Sequence, residues 1–246
     1  MQQATHFLAT DLDGTFVGDA DALKDLLAHY EAAPYDVSLI YITGRHVQSA
    51  RSLIESEGLP KPDILVTDIG TGMYEGPDLQ PNAEWEARMA EHWQPGKVKQ
   101  MASQFNGLQE QDIPDTRRVS YYADSLDTVQ AFEYALRDAG IPHKLVYSTG
   151  RDLDVLPASG GKGAALQYII DRDRLHEANI LVAGDSGNDR DMLTLGYPAV
   201  VVGNGHADLG NLDTSHTIYR AQAHCAGGIL EAWEHFYPKH VAQKNH

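Results

Sequence analysis

Cysteine is nearly absent from this chain of 246 residues: Cys225 is the only one. An internal disulfide is therefore impossible, and a cysteine-built zinc site lacks its ligands. A reducing compartment is the natural setting. Long apolar runs are missing too, with none near the roughly 18 residues a spanning helix needs. The opening "MQQATHF" lacks the basic-then-apolar order of a secretion signal. Positive charge is scarce, with 19 Lys and Arg against 35 Asp and Glu and a net charge of −16. Nucleic acids and anionic membranes both need basic patches, so neither is an expected partner. The expectation is a soluble, cytoplasmic protein. If such an acidic protein takes an anionic substrate, it must gather its few cations at the site, so each Lys or Arg beside a glycine-rich loop matters.

What the chain does have is a series of short apolar runs, each ending in polar residues or glycine. They are "HFLAT" (6–10), "SLIYITG" (38–44), "DILVTDIG" (63–70), "NILVAGD" (179–185) and "PAVVVGN" (198–204). Continuous rather than alternating hydrophobicity predicts strands covered on both faces, as in a parallel sheet. Helical stripes lie between them: Leu23, Leu26, Leu27 and Tyr30; then Val47, Ala50 and Ile54; then Ala165, Leu166, Ile169 and Ile170. This alternation predicts a doubly wound α/β sheet, whose ligands bind beyond the carboxyl ends of the strands. From about Pro77 to Pro157 the pattern changes. A helix in "PGKVKQMASQF", a strand in "RRVSYYAD", a helix from Ser125 to Gly140 and a hairpin around Gly150 predict a small α+β unit with an antiparallel sheet. The last residues, "PKHVAQKNH", read as a frayed tail.

Four polar signals stand at the junctions of the larger unit. The first is Asp11 and Asp13 in "DLDGT". On an extended strand, residues two apart face one side. Two carboxylates there stay ionised only beside a cation, and Mg2+ suits such oxygens; a capped turn is the alternative. The second is Thr43-Gly44-Arg45, where a hydroxyl and a glycine amide could hold a phosphate oxygen or merely cap a helix. The third is Lys162, opening a helix after two glycines, where it opposes the helix dipole unless an anion is near. The fourth is "GDSGND", with Asp185, Asn188 and Asp189. Each signal alone also reads as ordinary loop chemistry. Together they place acids for a metal, a hydroxyl and lysine for an anion, and one acid free to attack, all at the same end of one sheet.

These motifs resemble those of the haloacid dehalogenase-like phosphatase superfamily: "DLDGT" its first, Thr43 its second, Lys162 its third and "GDSGND" its fourth. The segments "YITGR", "RRVSYYAD", "GRDLDVLP" and "AGGILEAW" bring the likeness closer to sucrose-phosphate phosphatases, with mannosylfructose-phosphate phosphatases as near relatives. The resemblance implies a Rossmann-like core over residues 1–79 and 158–246, with a cap for sugar specificity over 80–157. It implies Asp11 as nucleophile and Asp13 as acid and then base. It implies Mg2+ held by Asp11, the Asp13 carbonyl and Asp185, with Asp189 positioning its waters. Thr43, Gly44 and Lys162 would hold the phosphate, and Asn188 would orient Lys162 or the phosphate. Arg45, Arg118 and Tyr121 would contact the sugar, Arg118 and Tyr121 being read as sharing one strand face.

The implied reaction is hydrolysis of a phosphorylated disaccharide, sucrose 6-phosphate foremost. Mannosylfructose phosphate, or transfer between sugar hydroxyls by a mutase of the same fold, are the alternatives. A monomer is expected, with docking to a sugar-phosphate synthase left open. Two departures bear on the sugar. Gly72 and Met73 follow Gly70-Thr71 where sucrose-specific relatives carry an acid, and Cys225 stands where a histidine is expected before "AGG".

Overall fold

The computed structural model describes residues 4–114, 117–212 and 217–238, so the last eight residues of the tail lie outside the described part. The chain runs β1 (His6–Thr10), α1 (Ala20–Glu31), β2 (Val37–Ile42), α2 (Val47–Ser56), β3 (Ile64–Thr67), β4 (Gly72–Glu75) and β5 (Gln80–Pro81). Then follow α3 (Ala83–Ala90), α4 (Pro95–Ala102), β6 (Leu108–Glu110), β7 (Val119–Ala123), α5 (Leu126–Asp138), β8 (Lys144–Ser148) and β9 (Asp152–Leu156). The chain closes with α6 (Lys162–Asp173), β10 (Asn179–Gly184), α7 (Arg190–Leu193), β11 (Ala199–Val201), β12 (Ile218–Arg220) and α8 (Cys225–Phe236).

The larger sheet has the order β12-β11-β10-β1-β2-β3-β4-β5. Its first six strands pair in parallel, and β4 and β5 add an antiparallel edge. β1 is central, between β10 and β2, so its end is the topological switch point where such sheets bind ligands. Alternate side chains enter opposite layers. Phe7 and Ala9 pack with α6 residues Leu166 and Ile169, while Leu8 packs with Leu26 of α1 and Trp233 of α8. Burial on both faces is the reason these strands read as continuous apolar runs. Asp19 caps α1 through the Ala22 N–H at 3.0 Å, as its residue type favours.

The smaller sheet, β6-β7-β9-β8, is antiparallel throughout. One face packs on α4 and α5 through Val119, Tyr121, Val129, Phe132 and Leu153. This is the α+β cap the middle of the sequence predicts. The short β5 pairs with β4 in the larger sheet, and Trp85 and Met89 of α3 pack into that sheet's core. Strands β4, β5, β6 and β12 have no counterpart among the apolar runs. They are two to four residues long and mostly lie at sheet edges, where a short segment carries little pattern.

Candidate active site

β1 ends at Thr10, and the backbone turns at once. Asp11 N–H still donates to Ala183 C=O at 3.0 Å, but Phe16 and Val17 N–H groups fold back on Leu12 C=O. Gly14, at φ +75°, lets this loop approach β10: a Cβ there would sit 2.6 Å from Asp185 Oδ2. The alternation of an extended strand therefore does not reach Asp13, and the two acids have different partners. Asp11 is buried against Lys162. Asp13 is half exposed and bound by Arg45, whose Nε and Nη2 both lie 2.7 Å from its oxygens.

Lys162 is fully buried at the first turn of α6. Its ammonium donates to Asp11 Oδ1 and to Asp189 Oδ1, each at 2.6 Å. Burial alone would lower its pKa, but the two carboxylates outweigh burial and raise it. Asp189 is also fully buried. Its Oδ2 accepts the N–H groups of Asp185 and Ser186, so it fixes both the lysine and the loop. Asn188, expected to orient Lys162 or the phosphate, does not reach the lysine. It lies beside Gly44, and its buried Oδ1 has no hydrogen-bond partner among the described residues.

The carboxylates of Asp11, Asp185 and Asp189 come within 4.8 Å of one another. Burial raises the Asp11 carboxyl above the usual carboxylate range, and Lys162 opposes that rise. Burial, then the charge of Asp189, push Asp185 up to about 6. Three carboxylates face one ammonium, so their full ionisation leaves uncompensated negative charge in a dry site. An all-oxygen donor set with excess charge fits a hard divalent cation. The Asp13 carboxylate takes no part in this cluster; only its carbonyl remains for the role the resemblance implies.

Thr43 is fully buried at the end of β2, and its Oγ1 accepts the Arg45 N–H at 3.2 Å. A second turn braces it. Asp68, Ile69 and Gly70 are all left-handed, at φ +52°, +55° and +89°. For β-branched Ile69 this costs about 1–2 kcal/mol, and such strain persists only where surroundings impose it. Asp68 and Ile69 N–H groups donate to Arg45 and Thr43 carbonyls at 2.9 and 3.1 Å. Gly70 presses on Gly161, just before Lys162. One turn thus positions both the Thr43 segment and the lysine helix. Asp68 ends a core run as the other acids do, but no spacing in "DILVTDIG" marked it as a site residue.

The cap reaches this site from above. Arg118 Nη1 binds Asp154 Oδ1 at 2.5 Å, and its Nη2 binds the Gly44 carbonyl at 3.1 Å. Thr149 N–H in the β8–β9 turn and Gly187 N–H both donate to Asp208 at 3.1 Å. Lys144 Nζ lies 2.6 Å from Asp191. Tyr121 is a correction: it is three residues from Arg118, so it takes the opposite strand face. It is buried in the cap's own core beside Phe132 and cannot contact a sugar there. A surface depression of about 1070 Å3 lies at the amino ends of the strands, around Thr5, Asp63 and Asn179, away from the carboxylates.

Both departures have structural counterparts. A Cβ at Gly72 would overlap Thr67 Oγ1 and lie 3.2 Å from Arg117 Nη1, so an acid does not fit. Cys225 packs its sulfur against Gly18, and its N–H donates to Asn204 Oδ1 at 2.8 Å. Asn204 in turn donates to the Gly14 carbonyl at 2.7 Å. The short "GNG" context gave this link no sequence signal.

The parallel sheet, the antiparallel cap and the carboxylate–lysine cluster at the switch point have the arrangement of the haloacid dehalogenase superfamily's fold. A subclass IIB sugar phosphatase of that superfamily shares the fold, with a TM-score of 0.67 at 16% identity over 94% of this chain and 99% of that one. The match narrows further: the family model described as sucrose-6F-phosphate phosphohydrolase covers residues 4–237, and the chain belongs to that family. The sucrose-phosphatase of Synechocystis, solved with sucrose and phosphate, superposes with a TM-score of 0.89 at 32% identity, over 95% of this chain and 98% of that one. A mannosylfructose-phosphate phosphatase from Agrobacterium fabrum is 31% identical over 93% of this chain and 96% of its own length. A glucosylglycerol-phosphate synthase from Pseudomonas anguilliseptica is 36% identical over 93% of this chain, which spans only 30% of that longer protein. The chain likewise spans 59% of a probable sucrose-phosphatase of Arabidopsis thaliana. Among the described residues no helix is long and apolar enough to cross a membrane.

Proposed function

We propose that this protein is a Mg2+-dependent phosphatase that hydrolyses a phosphorylated disaccharide, sucrose 6-phosphate foremost, through an aspartyl-phosphate on Asp11. The observation that carries this reading is the buried Lys162 ammonium, held at 2.6 Å by both Asp11 and Asp189 at the switch point. An Asp11 oxygen attacks phosphorus as the sugar oxygen leaves. Asp13 gives that oxygen its proton, then takes one from the water that opens the acyl-phosphate. Lys162, the Thr43 hydroxyl and the Gly44 amide hold the phosphoryl oxygens as charge develops on them. Bound at Asp11, Asp185 and the Asp13 carbonyl, Mg2+ would supply charge neutralisation. Asp189 keeps lysine and loop in place, and Asn188 offers its amide beside Gly44. Residues 80–157 are taken as the cap that selects the sugar, with Arg45 at its border.

The protein is proposed to act as a cytoplasmic monomer. Docking to a sugar-phosphate synthase is supported by the relative in which a similar region forms part of a synthase chain. The excluded acid at Gly72 favours a second reading, another glycosyl phosphate such as mannosylfructose phosphate or glucosylglycerol phosphate. The test is a panel of these esters, comparing kcat/KM by phosphate release with Mg2+. Sucrose 6-phosphate should rank first. A tenfold preference for another ester overturns that choice, and formation of a phosphate isomer without free phosphate points to a mutase.

A further inference from the structure

The segment Thr43–Arg45 is held from outside at each of its three carbonyls. Ile69 N–H takes Thr43 C=O at 3.1 Å, and Asp68 N–H takes Arg45 C=O at 2.9 Å. Arg118 Nη2 takes Gly44 C=O at 3.1 Å. Two hooks come from the core's left-handed turn. The third comes from the cap.

A peptide unit is planar, so fixing the Gly44 carbonyl also fixes the Arg45 N–H that points the opposite way. That N–H donates to Thr43 Oγ1 at 3.2 Å. With an acceptor site of the hydroxyl used in this way, its proton stays available for another acceptor, such as a phosphoryl oxygen. The orientation of Thr43 therefore depends, through one peptide unit, on a cap residue.

Arg118 is itself tightly placed. Its Nη1 binds Asp154 at 2.5 Å and Ser120 Oγ at 3.1 Å. Its Nε lies 3.6 Å from Asp68 Oδ1, and its side chain is 11% exposed. A planar guanidinium engaged on three sides by protein groups is a rigid strut between the two sheets. It is poorly suited to the sugar contact expected from the sequence.

We propose that Arg118 is a positioning residue for phosphate capture: docking of the cap strand completes the Thr43–Arg45 turn, so phosphate affinity depends on the cap even when no sugar is present. This rests on the reading that the turn takes the substrate's phosphoryl group. Arg118→Lys keeps the charge between Asp154 and Asp68, which limits the penalty of unpaired buried carboxylates, but it loses the fork. Asp154→Asn loosens the arginine without touching the turn.

The experiment measures inorganic phosphate binding to the whole protein with Mg2+ by calorimetry, alongside turnover of p-nitrophenyl phosphate and of the preferred sugar phosphate. For Arg118→Lys, phosphate should bind about tenfold more weakly, the factor expected for one charge-assisted hydrogen bond. kcat/KM should fall by a similar factor for both esters. Asp154→Asn should shift phosphate affinity in the same direction and decides the matter if the first variant does not fold. Phosphate affinity within twofold of wild type, with only the sugar ester's KM raised, would overturn the proposal in favour of a sugar contact. A wild-type protein that binds no phosphate and cleaves neither ester would overturn the phosphatase reading and this proposal with it.

Discussion

Lys162 Nζ stands 2.6 Å from Asp11 Oδ1, although 151 positions separate the two residues in the chain. The pair is buried, and Asp189 completes it from the other side. Removing the lysine leaves carboxylates facing one another without their shared cation. Lys162→Met should therefore abolish turnover and lower stability by about 3–5 kcal/mol, the range for breaking a buried pair. Mg2+ should restore part of the stability by occupying the same carboxylates. Denaturation with and without Mg2+ checks this, and a variant as stable as wild type would contradict it.

Asp11→Asn keeps the side chain's shape and removes the nucleophile. Phosphate release should fall by at least about 1000-fold, since no neighbouring acid can attack from the same position. Full activity in this variant would sink the aspartyl-phosphate mechanism. Mass spectrometry of trapped wild-type protein should find phosphate on Asp11 and nowhere else in "DLDGT".

Asp13 and Arg45 form a partly exposed bidentate pair, with side chains 52% and 34% exposed. Arg45→Ala should cost less than about 1 kcal/mol of stability, as exposed ion pairs do. Asp13→Asn should slow sugar-ester hydrolysis by about 100- to 10,000-fold, the usual worth of an acid–base group. The loss should be smaller with p-nitrophenyl phosphate, whose leaving group needs no proton. Equal losses on the two esters would count against the acid role.

Burial holds the Asp185 carboxyl up at about 6 in the folded protein, against an ordinary value of 3.8. The folded state then keeps a proton that the unfolded chain has released. Its stabilising effect is complete below 3.8 and is lost as pH rises through 6. Asp185→Asn should gain stability relative to wild type over that window, measured without metal. A divalent cation competes for the same carboxylate, so the Mg2+-induced rise in Tm should be large at pH 7.5 and fade below pH 6. A rise independent of pH would show that Asp185 does not bind the ion.

Gly70 touches Gly161 so closely that an added Cβ would overlap its carbonyl and lie 2.7 Å from Lys162 N. With φ at +89°, the position also disfavours any other residue. Gly70→Ala should destabilise by about 2 kcal/mol or more, and turnover should fall further than the unfolded fraction explains, because the lysine helix moves. Activity per folded molecule, set by circular dichroism, separates the two effects.

Much of this site was legible in the sequence. Asp11, Thr43, Lys162, Asp185 and Asp189 each end an apolar run or open a helix, and strand–helix alternation brings such positions to one end of a sheet. Asp68, Asn204 and Asp208 were not legible as site residues. Each acts through one or two hydrogen bonds to distant backbone, which leave no spacing in the chain. Tyr121 was misassigned for a related reason. Strand parity separates it from Arg118, and only the cap's packing shows that its face is the buried one.

By itself, the sequence determined the layered α/β architecture, the inserted cap and the acid–lysine set, because periodic burial and strand-end chemistry are local properties that one-dimensional order records. Tertiary structure alone decided which acid pairs with which cation. It also decided that the cap's arginine reaches the Gly44 carbonyl and that Gly72 leaves no room for a carboxylate. These depend on contacts a few ångströms long between residues tens to hundreds of positions apart, and no pattern of residue types along the chain encodes such distances.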